Sequence, residues 1–426
     1  MPPNKQQPAP GTKPPKIVID GVFFQFRDKS GIARVWSSLL EEWSGTEFGQ
    51  SLVVLDRDGA VPKFSGIGEY VPFKTYYSRS AGAETFLLEE FCRQVNADLF
   101  MSTHLTSPLE TPSLMLVHDL IPEIFGNDPT WVREKRYCTQ HASAYLAVSN
   151  HTLSDLHRIY PFSKKRPFRV AYNGVGKSFH RCASESPQDF KARHNIKNPY
   201  FLLVGTRSEH KNARLFFEAL ALIPDRERFS IVCCGGAPEL ESELAEFVNG
   251  SDVKMLSLSD EELNAAYGQA ICLVYPSKYE GFGLPVLEAM AAGCPVITCA
   301  NASIPEIAGN SVLYVNESDC AAMRATLVEV QAVATRERLI QSGCRQASKF
   351  KWADIAGSIA EFSWQVLQSA AIPADSMSRQ RWRQLRSYQC SPNSTAEGLI
   401  ELETLWRNSI DAESTPAAAG DSGRIF

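Results

Sequence analysis

The sequence predicts an α/β protein of two successive domains, each a doubly wound parallel sheet covered by helices on both faces. Three observations lead to this prediction. The 426 residues exceed what one hydrophobic core usually supports, so two domains of ordinary size are expected. Short apolar runs alternate with helical stretches, which is typical of parallel sheets. This alternation fades once, in the polar stretch 176–199, and then begins again, so we assign that stretch to an inter-domain linker.

The first half follows a Pro- and Gln-rich lead-in at residues 1–15, which we expect to be disordered. From Gly31, the segment GIARVWSSLLEEW spaces its apolar residues as one face of a helix. We assign residues 16–175 to a Rossmann-like N-terminal domain. Its predicted strands are KIVID at 16–20, SLVVL at 51–55, ADLFM at 97–101, SLMLV at 113–117 and AYLAV at 144–148.

The second half repeats this plan, and we assign residues 200–352 to a Rossmann-like C-terminal domain. Its predicted strands are FLLVG at 201–205, FSIVCCGG at 229–236, ICLVYP at 271–276 and PVIT at 295–298. Beyond them, residues 370–426 are polar and are expected to be a partly disordered tail. Within this tail, SRQRWRQLRSY at 378–388 surrounds Trp382 with arginines. That pattern fits contact with anionic lipids or a partner, but a solvated helix with one aromatic anchor is the favoured interpretation.

Composition excludes several classes of function. The formal net charge of −5 does not suit a nucleic-acid-binding protein, which usually presents a basic domain or stripe. No apolar run reaches the length of about 18 residues that a transmembrane helix needs. The 11 cysteines include no CxxC pair, and several lie inside apolar runs, as small buried side chains do. Such usage suits a reducing compartment, so we expect a cytoplasmic protein.

The most informative stretch is YEGFGLPVLEAMAAGCPVI at 279–297. It places Glu280 on a predicted loop and Glu288 inside the helix that follows, with glycines between strand end and helix start. Backbone N–H groups at such a helix start favour a phosphate. Two carboxylates on either side could bind the hydroxyls of a sugar and of a ribose. A Gly-rich turn with two solvated glutamates explains the spacing equally well.

This segment closely resembles the EX7E signature of GT-B glycosyltransferases, in particular the retaining family 4, or group 1, whose mannosyltransferase-like members are most similar. The resemblance covers residues 16–367. It implies the GT-B fold, in which two Rossmann-like domains face a central cleft. It also implies transfer of a hexose from a nucleotide sugar, of GDP-mannose or UDP-glucose type, to a saccharide or lipid-linked acceptor. The family needs neither a metal nor a further cofactor.

The resemblance assigns roles to residues of the donor side. Glu280 would orient the transferred sugar, and Glu288 would hold the ribose. VGTRSEHKN at 204–212 resembles the loop whose basic residues hold the diphosphate, here Arg207 and Lys211. The diphosphate would lie against the helix start formed by Gly281, Phe282, Gly283 and Leu284.

The N-terminal half carries further motifs of the family. SGIARV at 30–35 resembles the glycine loop that faces the donor, where Gly31 would let the backbone approach a phosphate. VHDLIPE at 117–123 resembles the motif that supplies a histidine, here His118, to the transferred sugar or the leaving-group side. FKWADIA at 350–356 resembles the start of the helix, about 353–368, that crosses back to complete the first domain.

Other interpretations stay open at this point. Asp56 and Asp58 form a DxD pattern, which binds a metal in another class of glycosyltransferases, but it stands alone and no cluster has metal-ligand spacing, so no metal is expected. A phosphorylase or epimerase of GT-B shape would share the fold. A catalytically silent protein that binds sugar nucleotides is a second alternative. The exact donor, the acceptor, peripheral membrane contact and the oligomeric state are not determined by the sequence.

Overall fold

A computed structural model of the protein describes residues 15–26, 30–77, 81–126, 129–181, 187–207, 209–248, 250–368 and 376–413. The strands are β1 (Ile17–Asp20), β2 (Leu52–Arg57), β3 (Glu69–Phe73), β4 (Leu99–Ser102), β5 (Ser113–Val117), β6 (Ala144–Ala147), β7 (Phe168–Val170), β8 (Tyr200–Val204), β9 (Ser230–Cys234), β10 (Asp252–Leu256), β11 (Cys272–Tyr275), β12 (Val296–Cys299) and β13 (Leu313–Val315). The helices of the first half are α1 (Gly31–Trp43), α2 (Glu47–Gln50), α3 (Ala81–Val95), α4 (Ile121–Phe125), α5 (Pro129–His141), α6 (Asn150–Ile159) and α7 (Pro187–Arg193). Those of the second half are α8 (Ala213–Ala221), α9 (Ser242–Ala245), α10 (Asp260–Gln269), α11 (Leu284–Ala291), α12 (Ile304–Ala308), α13 (Cys320–Glu329), α14 (Val333–Ala347), α15 (Trp352–Gln368), α16 (Met377–Gln389) and α17 (Ala396–Glu413).

These strands form two parallel sheets, as the alternating pattern predicts. The N-terminal sheet has seven strands in the order β3-β2-β1-β4-β5-β6-β7, and the C-terminal sheet has six in the order β10-β9-β8-β11-β12-β13. Each order reverses direction once, between β1 and β4 and between β8 and β11. In open α/β sheets, ligands bind beyond the carboxyl ends of the strands at this reversal. The predicted doubly wound architecture of both domains is therefore confirmed, and it directs attention to the loops after these four strands.

Helices cover both faces of the sheets, which explains why the central strands are mostly apolar. The strand IVID is buried at all of its positions. One apolar cluster extends from Ile19 in the N-terminal sheet to Val286 in α11, so the two domains share a continuous core. Helix α15 returns to the N-terminal domain, where the Trp43 indole Nε1 donates a hydrogen bond of 2.9 Å to the carbonyl oxygen of Ala356. The chain thus crosses between the domains twice.

The polar stretch 176–199 contains the short helix α7, although residues 182–186 lie outside the described part. Phe190 of α7 is buried, and its ring centroid lies 6.3 Å from that of Tyr200 in β8. Much of this stretch therefore belongs to the C-terminal domain rather than to an independent linker. The predicted disordered lead-in lies almost entirely outside the described residues.

The prediction of a polar, solvated tail needs correction for residues 376–413. Helices α16 and α17 form an ordered hairpin against the N-terminal domain, while residues 369–375 and 414–426 lie outside the described part. Trp382 is buried and stacks on Trp406 with ring centroids 4.5 Å apart. The Arg386 guanidinium is only 2% exposed and donates a hydrogen bond of 2.8 Å to Glu134. One face of the arginine-rich helix thus packs in the interior. The polar composition of the segment as a whole conceals this face.

A membrane-spanning helix is not found either. Among the helices that the structure describes, none is long and apolar enough to cross a bilayer.

Candidate active site

Loops of the two domains come into contact at Gly281, which follows β11. A Cβ atom on this residue would lie 1.8 Å from the carbonyl oxygen of His118, at the carboxyl end of β5. Because such a distance is impossible between nonbonded atoms, only glycine fits here. The motif histidine and the glutamate-glycine segment therefore lie together in the cleft, as the resemblance implies.

Side chains from both domains fix this loop. From α6 and its N-cap, the Ser149 and Thr152 hydroxyls donate hydrogen bonds of 2.7 and 2.9 Å to the carbonyl oxygen of Gly281. From the opposite side, the Ser303 hydroxyl donates to the carbonyl oxygens of Glu280 and Phe282 at 2.9 and 2.8 Å. The loop is thus preorganised by hydrogen bonds that need no ligand.

Lys211 and Glu280 form an ion pair at the carboxyl edge of the C-terminal sheet. The Lys211 Nζ lies 2.6 Å from Glu280 Oε1 and 3.1 Å from the hydroxyl of Tyr275. Both charged side chains are mostly buried. Burial opposes the charge of Lys211, but the neighbouring Glu280 carboxylate outweighs this effect and raises the pKa of the ammonium above its usual value. The site therefore contains a stable, buried cation.

Glu288 also has a basic partner, which the sequence did not identify. Arg34 of α1 reaches across the cleft, where its Nη1 donates to Glu288 Oε1 and its Nη2 lies 2.6 Å from Asp260 Oδ1. The Tyr267 hydroxyl donates to Glu288 Oε2 at 3.4 Å. Burial raises the pKa of Glu288, and Arg34 partly opposes this rise. Arg34 belongs to the SGIARV motif. The motif predicted that this segment faces the donor, but it did not predict a role for Arg34.

The starts of helices α1 and α11 face each other across the cleft. Helix α1 begins at Gly31, where a Cβ atom would lie 3.6 Å from Leu284 Cδ1 at the start of α11. Gly283 precedes α11 with a φ of 103°, a left-handed conformation that favours glycine. Neither helix has an acidic residue in its first turn. Two positive helix ends therefore converge on one region, which suits an anion.

His118 is held neutral in this cleft. Burial lowers the pKa of its imidazole to about 4. Its Nε2 is buried and has no hydrogen-bond partner among the described residues. The adjacent Asp119 accepts a hydrogen bond of 3.0 Å from the Ile121 N–H and so caps the start of α4. The His118 imidazole thus has unused hydrogen-bonding capacity at Nε2.

The role predicted for Arg207 needs correction in this geometry. Its guanidinium is buried and donates to Glu241 Oε2 at 2.8 Å, and to the carbonyl oxygens of Gly235 and Ala237 at 2.7 and 2.8 Å. These acceptors lie on the loop after β9. Arg207 therefore fixes that loop and does not join the Lys211–Glu280 pair, because its donors already have partners inside the domain.

Phe282 is likewise an anchor rather than a side chain that faces a ligand. Its buried ring lies 6.0 Å from that of Phe350 and 6.4 Å from that of Tyr172. The backbone of Phe282 remains part of the loop, but its predicted contact with the donor cannot involve the ring. Leu284 likewise contributes its backbone at the start of α11, while its side chain lies opposite Gly31.

The carboxylates of the DxD pattern have local partners. Asp56 accepts a hydrogen bond of 3.0 Å from the Val61 N–H and pairs with Lys63, while Asp58 accepts one of 2.5 Å from the Thr75 hydroxyl. Among the residues that the structure describes, no group of three or more His, Cys, Asp or Glu side chains could hold a metal ion.

A second set of contacts between the domains surrounds Glu306 of α12. Its two carboxylate oxygens accept hydrogen bonds of 3.0 Å from the backbone N–H groups of Asn150 and His151, at the start of α6. Nearby, the Tyr279 hydroxyl donates to Asp155 Oδ2 at 2.7 Å. The cleft is therefore closed by polar contacts on both sides of Gly281.

Comparison with known proteins gives a consistent result. Residues 185–343 match the model of the family described as glycosyl transferases group 1. The chain is 29% identical over 219 residues to O-antigen chain mannosyltransferase B of Escherichia coli, which covers 50% of this chain and 58% of that protein. It is 31% identical over 236 residues to O-antigen chain mannosyltransferase RfbU of Salmonella typhimurium, covering 53% and 62%. The matches thus span about three fifths of these relatives.

Solved structures share the fold. Sucrose-phosphate synthase from Thermosynechococcus elongatus superimposes with a TM-score of 0.68 at 20% identity, covering 84% of this chain and all of that one. WaaG, a glycosyltransferase involved in lipopolysaccharide biosynthesis, superimposes with a TM-score of 0.65 at 16% identity, covering 81% and 99%. The predicted two-domain fold around a central cleft is therefore confirmed.

Proposed function

We propose, from the match of residues 185–343 to the model of glycosyl transferases group 1, that this chain transfers a hexose from a nucleoside diphosphate sugar to a saccharide or lipid-linked acceptor. One observation carries the proposal. The buried Lys211–Glu280 pair lies next to Gly281, which contacts His118. The starts of α1 and α11 meet at the same loop. A cation, two helix ends, a carboxylate and a neutral imidazole are the groups that a sugar diphosphate requires.

The diphosphate would be stabilised by fixed positive charge. Lys211 supplies the third donor of an ammonium whose other two bind Glu280 and Tyr275. The starts of α1 and α11 supply partial positive charges. As the bond between sugar and phosphate breaks, negative charge grows on the leaving nucleoside diphosphate, and preorganised groups of this kind stabilise it without reorganisation. The proposal therefore requires no divalent metal.

Glu288 would bind the ribose. A carboxylate offers lone pairs for about four hydrogen bonds, and Arg34 and Tyr267 use part of this capacity. The remaining lone pairs suit two ribose hydroxyls. Arg34 would thus act as a positioning residue that keeps Glu288 charged and oriented.

His118 and Glu280 would contact the transferred sugar. The neutral His118 can donate a hydrogen bond from one ring nitrogen and accept one at the other. Glu280, fixed by Lys211, accepts from hydroxyls. We propose transfer with retention: the bond from the anomeric carbon to phosphate breaks and the bond to the acceptor oxygen forms on the same face. The leaving phosphate takes the acceptor proton. Since the relatives include mannosyltransferases, GDP-mannose is the first donor to test and UDP-glucose the second.

The test is donor hydrolysis and thermal stabilisation by UDP-, GDP- and ADP-sugars, with EDTA present. We expect stabilisation by one nucleotide class and slow hydrolysis that survives EDTA. Glu280→Gln should reduce hydrolysis on the order of 100-fold. Glu329→Gln, which alters an exposed glutamate of α13, serves as the matched control and should have no effect.

Other outcomes would point elsewhere. Donor binding without turnover across many acceptors would favour a silent binding protein, and an epimerised donor would favour an epimerase. Hydrolysis abolished by EDTA would contradict the metal-independent mechanism. A product with the inverted anomer would contradict retention.

A further inference from the structure

Aromatic side chains gather at the carboxyl edge of the N-terminal sheet, outside the donor site. His104 follows β4, and its ring centroid lies 4.6 Å from that of Trp131, near the start of α5. It lies 5.1 Å from Phe23 and 6.4 Å from Phe26, both in the loop after β1. Phe26 is 42% exposed and Trp131 is 40% exposed. Two partly exposed rings thus lie next to one histidine.

Hydrogen bonds hold the loops that carry these rings. The Phe23 N–H donates to Thr103 Oγ1 at 2.8 Å. The Gln25 side chain donates to the Tyr76 carbonyl oxygen at 2.8 Å and accepts from the Tyr76 N–H at 2.9 Å. The His104 N–H donates to Ser102 Oγ at 3.0 Å. These contacts tie together the loops after β1, β3 and β4, so the rings are in place before a ligand arrives.

The aromatic cluster adjoins His118. Strands β4 and β5, which precede the two histidines, are neighbours in the sheet. The two imidazoles lie close enough that His118 disfavours the charged form of His104, and burial together with this neighbour lowers the pKa of His104 to about 3. The Nε2 atoms of both histidines are buried and have no hydrogen-bond partner among the described residues. Both imidazoles are therefore uncharged and offer hydrogen-bonding nitrogens.

This combination specifies the chemistry of a ligand. A pyranose ring has a face of C–H groups, which is attracted to the negative face of an aromatic ring, and hydroxyl groups around its edge. A neutral imidazole can bond such a hydroxyl. A hydrocarbon chain would instead leave the imidazole nitrogens buried without partners, which costs free energy. A phosphate would find no charge on this neutral histidine. An uncharged sugar fits both the rings and the nitrogens.

We propose that Phe26, His104 and Trp131 form the binding platform for a pyranose ring of the acceptor, next to His118. The inference rests on the proposed function, because it places the acceptor opposite the donor side of the same cleft. It adds a substrate class, a saccharide whose reactive end is an uncharged pyranose, and it adds the residues that recognise it. Trp131 and Phe26 would supply contact area, and His104 would orient a hydroxyl.

The experiment measures sugar binding separately from donor binding. The full chain, in the presence of GDP or UDP as chosen by thermal shift, is titrated with methyl α-D-mannopyranoside and methyl α-D-glucopyranoside and followed by saturation-transfer NMR. We expect binding to the unaltered protein, at least tenfold weaker binding in Trp131→Ala, and binding within threefold of the original in Trp131→Phe, which keeps an aromatic face. Phe168→Ala removes an exposed ring elsewhere in the domain and should leave binding unchanged.

The two proposals fail in different ways. If nucleotides stabilise every variant equally but neither sugar binds, or Trp131→Ala binds as tightly as the unaltered chain, the platform is wrong while the donor site stands. If octyl alcohol displaces the methyl glycosides, the occupant is a hydrocarbon and the platform is again wrong. If no nucleotide stabilises the unaltered chain, the proposed function itself fails.

Discussion

Arg34 joins the two domains through its charge. It lies on α1 of the N-terminal domain, yet its guanidinium contacts Glu288 and Asp260 of the C-terminal domain. The Glu288 carboxylate is buried, so without a cation it would gain a proton more readily. Asp260, by contrast, is 41% exposed, and water can satisfy it. The Arg34–Glu288 contact is therefore the one that should matter for binding.

We predict that Arg34→Ala weakens nucleoside diphosphate binding about tenfold at neutral pH, a loss typical of one charged hydrogen bond. A carboxylic acid is a poorer acceptor than a carboxylate, so binding is lost as pH falls through the pKa of Glu288. Removal of Arg34 raises that pKa, and the loss should begin at higher pH in the variant. Isothermal titration between pH 5.5 and 8 measures both effects. Asp260→Ala is the control, and an equal loss there would show that Glu288 is not the relevant partner.

At this scale the sequence predicts part of the site. Gly281, Glu280 and Lys211 could be located because their motifs sit on one loop or follow one strand, and local spacing determines their placement. Arg34 and Arg207 could not be assigned in this way. The sequence shows that each is an arginine in a motif, but not which acceptor lies within reach of its long side chain. That depends on distant segments, the loop after β9 for Arg207 and helix α11 for Arg34.

The helical hairpin α16–α17 behaves as part of the N-terminal domain. Besides its contact with Glu134, the buried Arg386 donates to the Thr85 hydroxyl at 2.7 Å and to the Ala81 carbonyl oxygen at 2.8 Å in α3. It also lies over the Trp382 ring, with the guanidinium carbon 4.8 Å from the ring centroid. Arg386 thus joins the hairpin to α3 and α5 of the N-terminal domain.

We predict that Arg386→Met lowers the free energy of unfolding by about 3 kcal/mol, because the Glu134 carboxylate stays buried without its cation. Adding Glu134→Gln should recover part of the loss, since the uncompensated charge is then removed. Urea denaturation measures both variants. Arg383→Met is the matched control on the same helix: Arg383 is 53% exposed, and its loss should cost less than about 0.5 kcal/mol. Similar costs for the two arginines would refute the interior role of Arg386.

The strands could be predicted because strands covered on both faces are mostly apolar, as SLVVL and AYLAV are. The hairpin could not, since its apolar face is only a few residues wide. In α16 it consists mainly of Trp382 and Leu385 among charged neighbours. An arginine that is buried and paired looks, in sequence, like an arginine in water.

The whole molecule closes around its cleft by contacts that the sequence does not reveal. Helix α6 and its N-cap are an example, because Ser149, Thr152 and Asp155 all bond to the opposite domain. Local patterns predicted each domain separately and the cleft only by resemblance. The hydrogen bonds across it depend on how the two domains are oriented, and no local pattern determines that orientation.

Acid should weaken the N-terminal domain in particular, because three of its histidines are held neutral. Burial lowers the pKa of His104 to about 3 and that of His118 to about 4. The pKa of His141, whose ring stacks on Trp382, is well below its usual value because of burial and the nearby Arg379 and Arg166. In the unfolded chain each histidine binds a proton below about pH 6.5. Above that pH the histidines are neutral in both states, so keeping them neutral in the fold costs no free energy. As the pH falls toward 4, only the unfolded chain gains these protons, and the free energy of unfolding decreases.

The loss should reach at most about 1.4 kcal/mol per pH unit for each histidine. We therefore predict a lower urea midpoint at pH 5 than at pH 7.5, with a smaller difference in His141→Gln, whose side chain takes up no proton. The measured quantity is the pH dependence, so a general loss of packing in the variant does not affect the result. A dependence that is unchanged in His141→Gln would mean that this imidazole is already protonated in the folded protein, and its burial beneath the hairpin would then need another counter-charge.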